Sequence, residues 1–251
     1  MSLAVYIKAP PIYRKSPKIA KDHSKRDRFF YGLISAVGAF SIGFAIWPYF
    51  AWQLTTASKL TQKIEKFPIP QAQVLSTSTI LANEVQVAKD PDGFSYFTTN
   101  YKPPASIGLD GQGPRPEEFL ITIPKMKIEN AKVKVDSIRF DTSLSHFPGS
   151  ALPGEVGNPF ITGHSVLPQF NDPENYRTIF TKLSDLEIGD DVYVEIAGRK
   201  LHYIVQYAKI VDPKDLSVLL PISSTGRNLT LMTCVPPGTN LKRLVVITSL
   251  I

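Results

Sequence analysis

The chain predicts a mainly β fold: a closed or nearly closed barrel with two or three short helices, preceded by one N-terminal membrane-spanning helix. Three observations carry this expectation. An uncharged apolar run near the N-terminus is too long for an ordinary soluble helix. Behind it, the last stretch of about 130 residues breaks into some seven or eight short β-branched runs punctuated by glycine and proline, and closure is the economical way to protect so many strand edges. The chain then ends in a strand, loop and strand that hold its single cysteine.

The apolar run is Phe29 to Leu54, 26 residues without a charge. At about 1.5 Å per residue it exceeds a hydrocarbon core of roughly 30 Å. Trp47, Tyr49 and Trp52 gather at its far end, where aromatic rings favour the membrane interface. It is longer than the apolar region of a signal peptide, and no small-x-small cleavage site follows it, so an uncleaved anchor is expected. The formal charge of +6 lies wholly in residues 1–28, which hold eight basic and two acidic groups. The remainder carries 20 of each sign, so a nucleic-acid-binding body is not expected. The positive-inside rule places that tail in the cytoplasm and residues 55–251 outside, although Lys59, Lys63 and Lys66 blunt the contrast.

Residues 55–118 are rich in Thr, Ser, Gln, Pro and Gly, with turn-prone DPDG at 90–93 and GQGPRP at 111–116. Lys59 to Lys66 extends the helical pattern by a turn or two. The rest is expected to be an extracellular linker or a lid folded over the domain; composition leaves both open. The ordered domain is expected over 119–251. FLITI from Phe119 and MKIENAKVKV read as paired strands, and Phe160 to Thr162 is a short apolar strand that runs into Gly163-His164. Tyr176, Ile179, Phe180 and Leu183 have helical spacing, so a short helix is expected over 175–186. GDDVYVEIAGRKLHYIVQYAKIV reads as a hairpin turning at Ala197-Gly198-Arg199, and one helical turn is expected over 213–220.

The last stretch, Asn228 to Val246, places Cys234 at the end of one strand and Arg243 at the start of the next. A thiolate attacks carbonyls, and a guanidinium stabilises the oxyanion that forms. A buried thiol and a solvated arginine would fit these two residues equally well. The anchor shifts that balance, because an exported chain with one cysteine cannot form an internal disulfide. His164 ends a buried-looking strand as Cys234 does, and supplies the proton carrier. Of the other histidines, His23 lies in the tail, His146 reads as a loop residue and His202 as a structural or exposed strand residue.

These segments resemble the sortase family of membrane-anchored cysteine transpeptidases. Thr230 to Cys234, TLMTC, is similar to that family's TLxTC motif, and Arg243 precedes an apolar Leu244-Val245-Val246 as in its members. ITGHS at 161–165, IPKMKI at 123–128 and Leu186-x-x-Gly189-Asp190 extend the likeness over roughly 119–251. The resemblance implies an eight-stranded β-barrel in which Cys234 cleaves an LPxTG-like sorting signal after Thr through a thioester acyl-enzyme. An amine of a cell-wall precursor or a pilin then receives the secreted protein. It implies catalytic roles for His164, Cys234 and Arg243 and a substrate-positioning role for Thr233. No cofactor is expected, and no calcium site is carried over, because the sequence offers no matching acidic cluster. Ser165 stands where several members carry Arg or Thr, and the Pro-Pro-Gly after Cys234 is similar to the single-anchor classes D and E. The L,D-transpeptidase motif Ser-His-Gly-x-Cys does not occur. A non-enzymatic alternative is a tethered barrel that binds sorting signals or scaffolds pilus assembly without catalysis.

Overall fold

The computed structural model describes residues 25–57, 85–89, 95–100, 109, 113–223 and 225–251. The basic tail before Lys25, the DPDG turn and the Lys59 to Lys66 extension therefore lie outside the described residues. Two compact units are present, Met1–Trp47 and Pro48–Ile251.

The apolar run forms α1 (Lys25–Trp52), followed by a short wide turn of helix over Gln53–Ala57. Between Phe29 and Trp47 its apolar side chains, among them Phe40 and Phe44, are exposed. A helix of this length and composition can cross a membrane.

The second unit is built on strands. β1 (Val85–Lys89) and β2 (Ser95–Thr99) form an antiparallel pair. β3 (Glu118–Ile123), β4 (Ile128–Lys134), β5 (Leu144–His146), β6 (Phe160–Thr162), β7 (Asp191–Ile196), β8 (Arg199–Val211), β9 (Asn228–Val235) and β10 (Lys242–Leu250) close into an eight-stranded barrel in the order β10-β8-β7-β3-β4-β5-β6-β9. The expected barrel is therefore present and closed. The alternation of β3, with Phe119, Ile121 and Ile123 buried and the residues between them more exposed, is what aims one face at the interior. Inside lie Leu144, Ile161, Val194, Tyr203, Leu229, Leu231, Leu244 and Val246.

Two elements differ from expectation. Residues 175–186 form a chain of turns and a 3-10 turn over Leu183–Asp185 rather than an α-helix. Polar side chains there bond the local backbone: the Arg177 N–H donates to Asn175 Oδ1 (3.0 Å), Thr178 Oγ1 donates to the Asp172 carbonyl (2.6 Å) and Thr181 Oγ1 to the Thr178 carbonyl (2.6 Å). Such bonds compete with a helical ladder. The apolar residues still serve the core, since Ile179, Phe180 and Leu183 are buried. His146, read as a loop residue, lies in β5 and is fully buried.

Part of the segment read as linker or lid also joins the barrel unit. Val85 and Phe97 of the β1–β2 pair are buried in a second apolar cluster with Phe147, Phe160, Val218, Leu219, Met232, Val245 and Ile247. Phe97 meets Phe160 and Phe147 at ring-centroid distances of 6.0 and 6.5 Å. Met232, Val245 and Ile247 alternate with the interior residues Leu231, Leu244 and Val246, so the hairpin covers the outer face of β6, β9 and β10. Phe97→Ala should lower the unfolding free energy by about 3 kcal/mol. Urea unfolding of the detergent-solubilised chain measures this, and a loss below about 1 kcal/mol would mean that the hairpin contributes no buried core.

Candidate active site

β9 and β10 are antiparallel neighbours in a register that places Cys234 directly opposite Arg243. Residues facing one another across such a pair share a face of the sheet. Cys234 is two residues beyond Met232 and Arg243 two before Val245, so both belong to the outer face that the hairpin covers farther along.

His164 arrives on the other side of β9. β6 runs parallel to it, pairing Phe160 with Thr230, Ile161 with Leu231 and Thr162 with Met232. Two further steps in this register bring His164 beside Cys234. The chains stay joined there: the Gly163 N–H donates to the Met232 carbonyl (3.1 Å), Thr233 Oγ1 donates to the Gly163 carbonyl (2.8 Å) and Ser165 Oγ donates to the Cys234 carbonyl (2.7 Å). The three residues singled out in the sequence thus occupy neighbouring positions on three adjacent segments.

Gly163 is required at its place by space. A Cβ there would stand 2.6 Å from Leu144 Cδ2 and 2.6 Å from Phe180 Cδ2. Only hydrogen lets the strand end lie this close to the core before turning outward at His164.

The Arg243 side chain is buried, with 2% of its surface exposed. Its Nη1 donates to the carbonyls of Asn240 (3.1 Å) and Lys242 (3.0 Å), so the β9–β10 loop holds one edge of the guanidinium. A guanidinium held at one edge, on the residue directly opposite Cys234, is a positive charge of the kind that can stabilise an oxyanion. The loop begins with a cis Val235–Pro236 bond, and Gly238 approaches Leu167, where an added Cβ would lie 3.0 Å from Cγ.

Cys234 and His164 are partly exposed. Phe140, from the loop between β4 and β5, lies against the imidazole with ring centroids 4.3 Å apart. Thr233 is buried, and its hydroxyl is engaged with Gly163. That geometry makes it a tie between β9 and the histidine segment. Among the described residues no group of three or more His, Cys, Asp or Glu is placed to hold a metal ion.

The sequence marks Ser165 only as a departure from the family pattern and does not mark Phe140 at all. Ser165 stood next to the histidine, and its pairing with the Cys234 carbonyl depends on a register that only the fold supplies. Phe140 sits in a polar loop far from every motif and had no signal.

A family model described as the Sortase domain matches residues 121–251, more than half of the chain. The chain belongs to the sortase family. It is 26% identical over 118 residues to the sortase D of Bacillus subtilis, covering 47% of this chain and 54% of that one. It therefore spans about half the length of the curated relative it matches. Among solved structures it is similar to a sortase A from Corynebacterium diphtheriae, at 31% identity over 56% of this chain and 63% of that chain, TM-score 0.46. It is also similar to a Clostridium perfringens sortase D5 transpeptidase, at 24% identity over 54% and 79%, TM-score 0.46.

The fit around Gly163 gives a direct check. Gly163→Ala should cost about 1–3 kcal/mol in stability by overpacking, and displace His164 enough to slow any reaction of this site about tenfold or more. Thermal unfolding and peptide cleavage measured together test this, and an alanine variant unchanged in both would contradict the fit.

Proposed function

We propose that this sortase is a cysteine transpeptidase that cleaves an LPxTG-like sorting signal after Thr and joins the secreted protein to a primary amine of the cell wall or of a pilin. The observation that carries the reading is the alignment of His164, Cys234 and Arg243 at neighbouring positions on one outer face. Family membership supports transpeptidation in general, and the likeness to a Bacillus subtilis sortase D favours a class D type.

The chemistry follows from the groups. The Cys234 thiolate attacks the threonine carbonyl carbon, and the negative charge that gathers on the carbonyl oxygen is met by the Arg243 guanidinium. His164 gives its proton to the departing amide nitrogen as the C–N bond breaks, leaving a thioester on Sγ. The incoming amine attacks that thioester and loses its proton to His164, and Cys234 leaves as the thiolate. Protons and charges return to their starting state after each turnover. Thr233 and Ser165 keep the histidine segment and the cysteine strand in fixed register through this cycle.

In the organisation we propose, residues 1–28 form a cytoplasmic tail, 29–54 the membrane anchor, and 55–118 an extracellular segment leading to the catalytic barrel at 119–251. The positive tail and the apolar length of α1 support that orientation. Val85 and Phe97 pack against barrel residues and Arg115 bonds Asp136, which supports a structural role for part of the 55–118 segment beside the barrel.

The full-length chain incubated with a library of fluorogenic LPxTG-like peptides and an amine donor tests the reading. Cleavage after Thr with transfer to the amine is expected, and Cys234→Ala should lower it by at least about 10³-fold. A variant as active as the wild type would overturn the assignment. Peptide binding without cleavage by either protein would favour a catalytically silent receptor.

A further inference from the structure

We propose that Phe140 is a positioning residue for the His164 imidazole, and that a clamp of the part-buried Arg115 and Asp136 and the buried His146 holds it there. The inference deepens the transpeptidase reading, because it concerns the proton carrier of that reaction. It stands on contacts that no motif of the chain foretells.

Phe140 belongs to the loop between β4 and β5 and is only half-buried, so its ring contributes little to the core. What it covers is the histidine: the two rings lie 4.3 Å apart between centroids, inclined by 47°. That separation is at the close end of aromatic contacts, and it removes one side of the imidazole from water and from alternative rotamers. A half-exposed loop is a poor platform for such a brace unless something immobilises it.

The immobilising contacts are present. Arg115 forks onto the Asp136 carboxylate through Nε and Nη2, the second contact at 3.1 Å, and Nη2 also reaches the Ser150 carbonyl at 3.4 Å. The Asp136 N–H points to His146 Nδ1 (3.4 Å), and His146 Nε2 lies 2.8 Å from the Ala151 carbonyl and 3.0 Å from Ser150 Oγ. His146 is fully buried, and burial pushes its pKa down to about 4, so it serves as a neutral bridge with its proton on Nε2. Ser137 then fixes the loop itself. Its N–H donates to the His146 carbonyl (2.9 Å), its carbonyl accepts from Ser145 Oγ, and its Oγ accepts from the Arg139 N–H (3.1 Å). A continuous set of bonds thus runs from Arg115, ahead of the barrel, to the residue preceding Phe140.

The consequence concerns proton transfer. A general acid works only when its N–H points at the leaving nitrogen, and an imidazole free to turn about two side-chain bonds spends part of its time misdirected. The Phe140 ring restricts that freedom without touching the reacting atoms.

The test uses the full chain in detergent micelles with ¹³C-labelled histidine, the His164 signal being assigned by its loss in His164→Gln. Phe140→Ala should lower kcat for an LPxTG peptide about tenfold while KM stays within about twofold, and the His164 Cε1–Hε1 group should show faster internal motion by relaxation. Phe140→Tyr should restore both. Arg115→Gln, remote from the imidazole, should move the ring relaxation in the same direction. Unchanged His164 relaxation in Phe140→Ala would overturn the proposal, whatever happens to thermal stability. A change in Phe140→Ala but none in Arg115→Gln would remove the clamp from it. The relaxation measurement needs no turnover, so failure of the transpeptidase reading, seen as no cleavage by the wild type, is a separate result.

Discussion

The parallel register between β6 and β9 is the constraint on which the site depends. β6 has three residues, and it pairs with the cysteine strand so that Thr162 lies beside Met232. The proposed site follows from continuing that alignment past the end of the strand. Thr233 and Ser165 supply hydrogen bonds where the regular ladder stops, and Gly163 lets the backbone lie against Leu144 and Phe180 while it does so. A shift of one residue would turn His164 to the opposite face and separate it from Cys234. The antiparallel pairing of β9 with β10 fixes Arg243 by the same logic.

This arrangement puts Cys234 and Arg243 on the outside of a barrel whose interior is mostly aliphatic and aromatic, with Thr233 and Thr248 buried among those side chains. An outer face that carries chemistry must still be rigid, and here two features outside the barrel provide support. The β1–β2 hairpin buries Phe97 against Phe160 and covers Met232 and Val245, the neighbours of Cys234 and Arg243 on that face. Arg115 anchors the loop that carries Phe140. Both come from a stretch whose composition suggests a spacer, which explains why a low-complexity segment contains a few isolated aromatic and aliphatic residues such as Val85, Phe97 and Leu109 that end up buried.

The barrel and the site were legible in the sequence to different depths. Strands with strong alternation, as in Asp191–Ile196, or with continuous apolar runs, as in Asn228–Val235, announce themselves because burial on one or both faces dictates their composition. The three-residue β5 does not, since Leu-Ser-His has neither period nor propensity and exists only because β4 and β6 flank it. The apolar spacing of 176–183 predicted burial correctly and helix wrongly, because Asn175, Thr178 and Thr181 bond their own backbone. Cys234, Arg243 and His164 were readable because each pairs a reactive side chain with a strand end. Ser165 and Phe140 gain meaning only from contacts between residues distant in sequence, and no local pattern encodes those.

In the proposed reaction Cys234 carries the acyl group between donor and acceptor. Intact-mass analysis of the full chain, quenched at low pH after mixing with a cleavable sorting-signal peptide in the absence of added amine, tests it most directly. A mass gain equal to the peptide fragment ending in Thr is expected, mapped to Cys234 and released by hydroxylamine as a thioester should be. Turnover of the peptide with no such adduct, or an adduct mapped to another residue, would contradict it.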